Sequence, residues 1–109
     1  MKINAQIKNL CRQIVEGFNP QKIILFGSCA YGKPNEDSDV DLLVIMPFEG
    51  RNSQKAIEIR QKIKTSLPLD LLVRTSKQVH ERVEMEDFFM REITQKGKIL
   101  YETDNAGMN

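Results

Sequence analysis

Hydrophobic residues recur at steps of three and four along the first eighteen positions, from Ile3 to Phe18. That spacing places them on one face of an amphipathic helix. The pattern stops at Asn19-Pro20, because the residue before a proline disfavours helical backbone angles. The sequence therefore predicts a first helix that packs one side against a core.

Three short apolar runs follow, at 22–26, 40–46 and 67–73, and each has the length of a buried strand. The second run is apolar on both faces, which predicts a central place in a sheet. Between the first two runs, residues 27–38 are rich in Gly, Pro and Asn. This composition predicts a turn that contains at most a short helix.

A helix is predicted between the second and third strands. Ser53 is the expected N-cap, and the helix runs to about Ser66. Its expected inner face consists of four apolar residues at helical spacing: Ala56, Ile59, Ile63 and Leu67. A helix of this length is long enough for the crossover that joins two parallel strands.

A last helical region is predicted from Ser76 to about Gln95, with an interruption allowed near Glu84. Gly97 marks its end, and 98–102 is the candidate edge strand. Four apolar residues at helical spacing are expected in the core: Met85, Phe88, Phe89 and Ile93. Met90 lies off that stripe and is the candidate for contact with a partner.

The predicted order is α-β-(turn or short α)-β-α-β-α-β. It describes an α/β (α+β) domain in which a small mixed β-sheet is flanked by helices. A chain of 109 residues is one domain by length. We expect the domain to span 1–103 and residues 104–109 to form a frayed tail.

Composition narrows the classes of function. Sixteen basic and fifteen acidic side chains give a net charge of +1, which argues against direct binding of nucleic acid. The longest apolar run, Leu42 to Met46, is far too short to span a membrane, and the amino terminus has no apolar signal core. We therefore expect a cytoplasmic protein, whose Cys11 and Cys29 remain reduced thiols.

Two carboxylates stand at the start of the second strand. Asp39 and Asp41 are two residues apart, so in a strand they point to the same side. Like charges this close repel one another unless a cation lies between them, and carboxylate oxygens suit Mg²⁺. The alternative is two solvated acids at a strand end, and the pair alone does not decide between these interpretations.

The turn before this strand has the composition of a phosphate site. Gly27 allows the backbone to turn sharply and to approach a ligand, and amides at the start of a helical turn attract anions. Ser28 adds a hydroxyl donor, and Gly32 relaxes the end of the turn. An ordinary glycine-rich connection would have the same appearance.

A third carboxylate, Asp70, lies inside the apolar third strand, where an acid is costly to bury without a partner. A basic neighbour such as Arg74 is one explanation, and a metal is the other. For one ligand to reach Gly27, Asp39 and Asp70, strands one and two must be antiparallel and strands two and three parallel. The sheet is therefore predicted to be mixed, with its acids at one end.

These motifs together resemble the signature of the polymerase-beta-like nucleotidyltransferases. The chain carries Gly27-Ser28, then Gly32, then Ser38-Asp39-Val40-Asp41-Leu42, then the strand acid Asp70. Its small size resembles the minimal nucleotidyltransferases, or MNT proteins, which are the antitoxin partners of HEPN-type toxins. The resemblance extends over nearly the whole chain.

The resemblance implies a fold, an activity and a partner. Asp39, Asp41 and Asp70 would hold two Mg²⁺ ions, and Gly27 and Ser28, with Gly32 and Ser38, would bind the nucleotide. The expected reaction transfers AMP from ATP to a hydroxyl of the HEPN toxin, by analogy a tyrosine, with release of pyrophosphate. This transfer would silence the toxin.

Other functions are compatible with the same sequence. The chain could neutralise its HEPN partner by stoichiometric binding alone, without catalysis. Transfer to a small molecule such as an aminoglycoside is less favoured, because no second domain is present in this sequence to hold that substrate. DNA polymerisation is disfavoured, because the composition provides no basic channel.

Overall fold

The computed structural model describes residues 5–31 and 39–103. They form nine elements, in the order α1 (Ala5–Phe18), β1 (Lys22–Phe26), α2 (Ser28–Tyr31), β2 (Val40–Ile45), α3 (Asn52–Lys62), β3 (Leu69–Arg74), α4 (Ser76–Glu84), α5 (Phe88–Lys96) and β4 (Lys98–Glu102). The predicted order of helices and strands is confirmed.

The four strands form one mixed sheet in the order β3-β2-β1-β4. β1 is antiparallel to β2 and to β4, and β2 is parallel to β3. These directions agree with the prediction that strands one and two are antiparallel and that strands two and three are parallel. The edge position of β4 is confirmed, and so is the central position of β2, whose residues from Leu42 to Ile45 are all buried.

Helices cover both faces of the sheet. Along β1, Ile23 and Leu25 point to the face covered by α1 and α3, whereas Ile24 and Phe26 point to the face covered by α4 and α5. The alternation follows from the two-residue repeat of a strand. Both faces of β1 and β2 are thus withdrawn from water, which explains why these strands are continuous apolar runs.

α3 differs from its predicted limits at both ends. It begins at Asn52, and Arg51 occupies the N-cap position without a side-chain hydrogen bond, so the expected cap at Ser53 is wrong. It ends at Lys62 rather than near Ser66. A tertiary contact accounts for the early end, because the amide side chain of Gln13 on α1 accepts from the Lys64 nitrogen at 2.7 Å and donates to the Lys64 oxygen at 2.8 Å.

The break near Glu84 is confirmed, but the predicted apolar stripe across it is wrong. Met85, Phe88 and Phe89 are 71%, 78% and 53% exposed, whereas Met90, the expected partner contact, is 4% exposed. Of the predicted stripe, only Ile93 is in the core. Between α4 and α5 the chain takes a positive φ of 61° at Glu86. This turn separates Met85 from the stripe, whereas Phe88 and Phe89 lie in the first turn of α5, on the same helix as the buried Ile93.

Candidate active site

Asp41 and Asp70 lie side by side on neighbouring strands. The parallel register pairs Asp41 with Asp70, so both side chains project from the same face of the sheet, the face covered farther along by α4 and α5. Adjacent strands are about 4.8 Å apart. Asp41 is half-buried and Asp70 is exposed. The sheet thus brings two acids that are far apart in the sequence to one end.

Asp39 precedes β2 and is exposed. Two positions separate it from Asp41, so an extended backbone directs both side chains to the same side. The backbone here is held from two directions. The Asp39 carbonyl oxygen accepts from the Cys29 sulfur at 3.4 Å, and the Val40 nitrogen donates to the Pro68 oxygen at 2.8 Å. These contacts fix the start of β2 against α2 and the segment before β3.

Gly27 joins β1 to α2 and packs directly on Asp41. Its φ is +74°, a backbone conformation that residues with a side chain rarely adopt. The Ala30 nitrogen closes the turn by donating to the Gly27 oxygen at 3.0 Å. A Cβ on Gly27 would overlap with the Asp41 carboxylate oxygen Oδ2. The absent side chain therefore leaves the space that this carboxylate occupies. Ser28, the next residue, is exposed at the first position of α2.

The electrostatics of this end are dominated by like charges. Burial raises the pKa of Asp41 above its usual value, and repulsion from Asp70 and then from Asp39 raises it further. Within 5–31 and 39–103, no lysine, arginine or histidine forms an ion pair with these three carboxylates. The local field therefore favours a cation. The Arg74 pairing considered for Asp70 is not observed, since the Arg74 guanidinium donates instead to the Val73 oxygen at 2.8 Å.

The carboxylates have the oxygen chemistry that a hard divalent ion prefers, and they share one end of the sheet. In the part of the chain that the structure describes, they do not form a closed group of three metal ligands. Asp39 and Asp70 are exposed, so their side chains have room to turn toward an ion beside Asp41. The donor chemistry of these residues suits a hard divalent ion, although the three carboxylates are not gathered around one point.

Gly32 and Ser38, the other two candidates for nucleotide binding, lie outside the described residues. Cys29 is buried beside the acids. Burial is the main cause of the raised pKa of its thiol, and the charges of Asp41 and Asp39 raise this pKa further, whereas a hydrogen bond with Ser28 lowers it. A thiol of this kind is unreactive. Cys11 is also free and buried, as expected of reduced thiols.

One aromatic residue near the acids was not among the site candidates. The Phe89 ring contacts the Phe26 ring edge to face, with centroids 5.8 Å apart. Phe26 pairs with Asp41 in the β1–β2 register. Asp87, two residues before Phe89, is a good helix N-cap and indicated that a new helix begins here. The apolar spacing nevertheless assigned Phe89 to the core.

Comparisons with known proteins agree with this arrangement. No curated protein sequence showed significant similarity to the chain. A crystal structure of a protein provisionally described as a nucleotidyltransferase, from Sulfolobus solfataricus, superposes with a TM-score of 0.58 at 16% identity. The match covers 94% of this chain and 92% of that one, and at this identity it supports the fold.

Within the described ranges, no helix is long and apolar enough to cross a bilayer.

The family model described as "Polymerase beta, Nucleotidyltransferase" matches residues 5–106 of the chain. With that match over nearly all of its length, and with the glycine turn and the strand aspartates in place, the chain belongs to the polymerase beta nucleotidyltransferase family.

Proposed function

We propose that the chain is a Mg²⁺-dependent nucleotidyltransferase that transfers AMP from ATP to a hydroxyl of a HEPN-type toxin, by analogy a tyrosine, and so acts as its antitoxin. General nucleotidyl transfer follows from the family. The observation that carries the proposal is the contact of Gly27 with Asp41, which puts the glycine turn and the acid cluster at one point.

Each candidate residue that the structure describes has a defined task in this proposal. Bound Mg²⁺ would neutralise the triphosphate and lower the pKa of the attacking hydroxyl. Asp39 and Asp41 would hold the metal, and Asp70, in register with Asp41, would complete the ligand set and would accept the proton of the acceptor hydroxyl. Gly27 and Ser28 would hold the β- and γ-phosphates through backbone amides of the turn and through the hydroxyl of Ser28, which is exposed.

The reaction balances in one displacement. The acceptor oxygen attacks the α-phosphorus, a phosphorus–oxygen ester bond forms, and the bond to the bridging oxygen breaks with departure of pyrophosphate. The charge of the leaving group increases in this step. Positioning of the two reacting groups and neutralisation of that charge account for most of the expected rate gain.

The test uses the chain with Mg²⁺, ATP and the HEPN-type protein encoded by the adjacent gene, where one is present. Intact-mass spectrometry of both proteins should show one or more added AMP units on the HEPN protein. Asp39→Asn and Asp41→Asn should each lower the rate at least about 100-fold, the scale for losing one charge-stabilising group. Transfer that persists in both variants would contradict the assigned roles.

Glu49→Gln is the matched control. Glu49 is an exposed carboxylate beyond the other end of β2 and is expected to leave the transfer rate unchanged. A variant without transfer should keep its circular dichroism spectrum. This separates a missing metal ligand from a missing fold.

Stoichiometric neutralisation is the second candidate function. The exposed apolar side chains of Met85 and Phe88, three residues apart at the junction of α4 and α5, favour it, because exposed apolar groups that lie together indicate protein contacts more often than scattered ones do. In that case the partner gains no mass, yet Asp41→Asn still forms the complex and still protects cells from the toxin. Loss of protection by Asp41→Asn with the complex intact would exclude it.

A further inference from the structure

Phe89 presents an open aromatic surface near the acid end of the sheet. Its ring is held on one side by Phe26, with an interplanar angle of 83° and centroids 5.8 Å apart, yet Phe89 is 53% exposed. An edge-to-face contact covers at most one face of a given ring. At least one face of Phe89 is therefore not covered by Phe26.

The surface belongs to the same face of the sheet as the carboxylates. Phe26 is the last residue of β1 and pairs with Asp41 in the antiparallel register. Residues paired in this way share a face, with Cβ atoms about 5 Å apart. The ring contact then connects Phe89 to this face, with Phe26 as the common neighbour of Phe89 and Asp41.

Packing of the core does not explain the position of Phe89. Met90 and Ile93 fill the inner side of α5, at 4% and 1% exposure. The backbone that carries Phe89 is held at this turn, because the Asp87 carboxylate accepts from the Met90 nitrogen at 3.1 Å and caps the helix. A half-open ring on the face of the sheet that carries the carboxylates suits a flat ligand.

We propose that Phe89 is the stacking surface for the base of the nucleoside triphosphate. The inference rests on the proposed function, since it takes the phosphates to lie at Gly27 and the carboxylates. In a nucleoside triphosphate bound this way, the sugar lies between the phosphates and a base on Phe89. A phenylalanine ring offers a π-face and no hydrogen-bonding group, so it stabilises purine bases without reading their edges. ATP and GTP should therefore gain similar affinity from Phe89.

Equilibrium calorimetry tests this with three ligands, ATP, GTP and tripolyphosphate, each with Mg²⁺ and without an acceptor. Base stacking on an aromatic ring contributes about 1–3 kcal/mol. Phe89→Ala should therefore weaken ATP and GTP by roughly 5- to 150-fold. Its affinity for tripolyphosphate should stay at the wild-type value, because this ligand has no base.

Three further variants define the role of the ring. Phe89→Tyr keeps the aromatic face and should bind ATP as the wild type does. Phe89→Leu refills the apolar contact with Phe26 without an aromatic face, and it should bind like Phe89→Ala. Phe88→Ala is the matched control, since Phe88 is the adjacent phenylalanine and is 78% exposed. It should leave the affinity for ATP unchanged.

The outcomes separate this inference from the function on which it rests. Unchanged ATP affinity in Phe89→Ala, or an equal loss for ATP and tripolyphosphate, would overturn the stacking role while the phosphate site stands. Wild-type protein that binds tripolyphosphate as tightly as ATP would also overturn it. Wild-type protein that binds neither ligand would contradict the proposed function itself.

Discussion

At the scale of single residues, Asp41 bears the main electrostatic cost of the site. Its pKa is raised by burial and by two neighbouring carboxylates. The folded state therefore holds this proton more tightly than the unfolded state, in which the pKa is near 3.8. Without metal, the contribution of the Asp41 proton to stability is therefore fully present below about pH 4 and is lost as pH rises through the raised pKa of Asp41.

Asp41→Asn removes the charge that burial and the neighbouring carboxylates disfavour. At pH 7 without metal, the melting temperature of this variant should therefore be equal to or above that of the wild type. Added Mg²⁺ should raise the melting temperature of the wild type only. Thermal denaturation at pH 4 to 8, with EDTA or with Mg²⁺, measures both effects. A variant that melts lower at pH 7 without metal would contradict the charge argument.

Gly27 gives a second prediction at this scale. Gly27→Ala should destabilise the protein by about 2 kcal/mol or more, through a strained positive φ and through the overlap with Asp41 Oδ2. It should also abolish the effect of Mg²⁺ on melting, because the carboxylate is displaced. Chemical denaturation with and without Mg²⁺ measures both quantities.

Gly50→Ala is its matched control. Gly50 also has a positive φ, of 92°, but the nearest atom to an added Cβ is Gln54 Oε1 at 3.9 Å. The control should lose stability through strain alone and should keep its response to Mg²⁺. If both variants lost that response, the contact between Gly27 and Asp41 would not be its cause.

At the scale of elements, the strands were predictable and the helix ends were less so. Apolar runs located the strands of the sheet, and the need for one ligand to reach Gly27 and Asp70 predicted their directions. α3 ended early because of Gln13, a contact 51 residues away that no local pattern contains. Phe89 was assigned to the core because it precedes Ile93 by four residues, but it lies in the first turn of α5 and remains half exposed there.

The junction of α5 and β4 gives a prediction about packing. An added Cβ on Gly97 would lie 2.5 Å from both Ile24 Cγ2 and the Ile93 oxygen, although its φ of −65° suits any residue. Gly97→Ala should therefore cost about 1–3 kcal/mol of unfolding free energy through overpacking alone. Urea denaturation measures it.

Gly17→Ala is the contrasting variant. Gly17 lies in α1 with no atom within 4 Å of an added Cβ, so the change should stabilise the protein by up to about 1 kcal/mol. Equal effects of the two substitutions would contradict the close packing of α5 and β4 on β1. Neither glycine is among the candidate site residues.

At the scale of the whole molecule, the sequence predicted the mixed sheet, its covering helices and the end at which the acids meet. It did so because an acid within an apolar strand and a glycine turn each limit where a ligand can lie, although Asp70 is exposed and not buried. The roles of Asp39, Asp41 and Asp70 as metal ligands and the HEPN partner stay predictions. The domain limits of 1–103 also stay a prediction, although the family match to residues 5–106 covers nearly the same span.

The most direct measurement compares ATP labelled at the α-phosphate with ATP labelled at the γ-phosphate, in the presence of Mg²⁺ and the HEPN-type protein. Label should appear on that protein only from the α-phosphate, and Asp41→Asn should abolish it. Label from the γ-phosphate would indicate phosphoryl transfer instead. Absence of any label in a stable complex of the two proteins would contradict nucleotidyl transfer and leave neutralisation by binding.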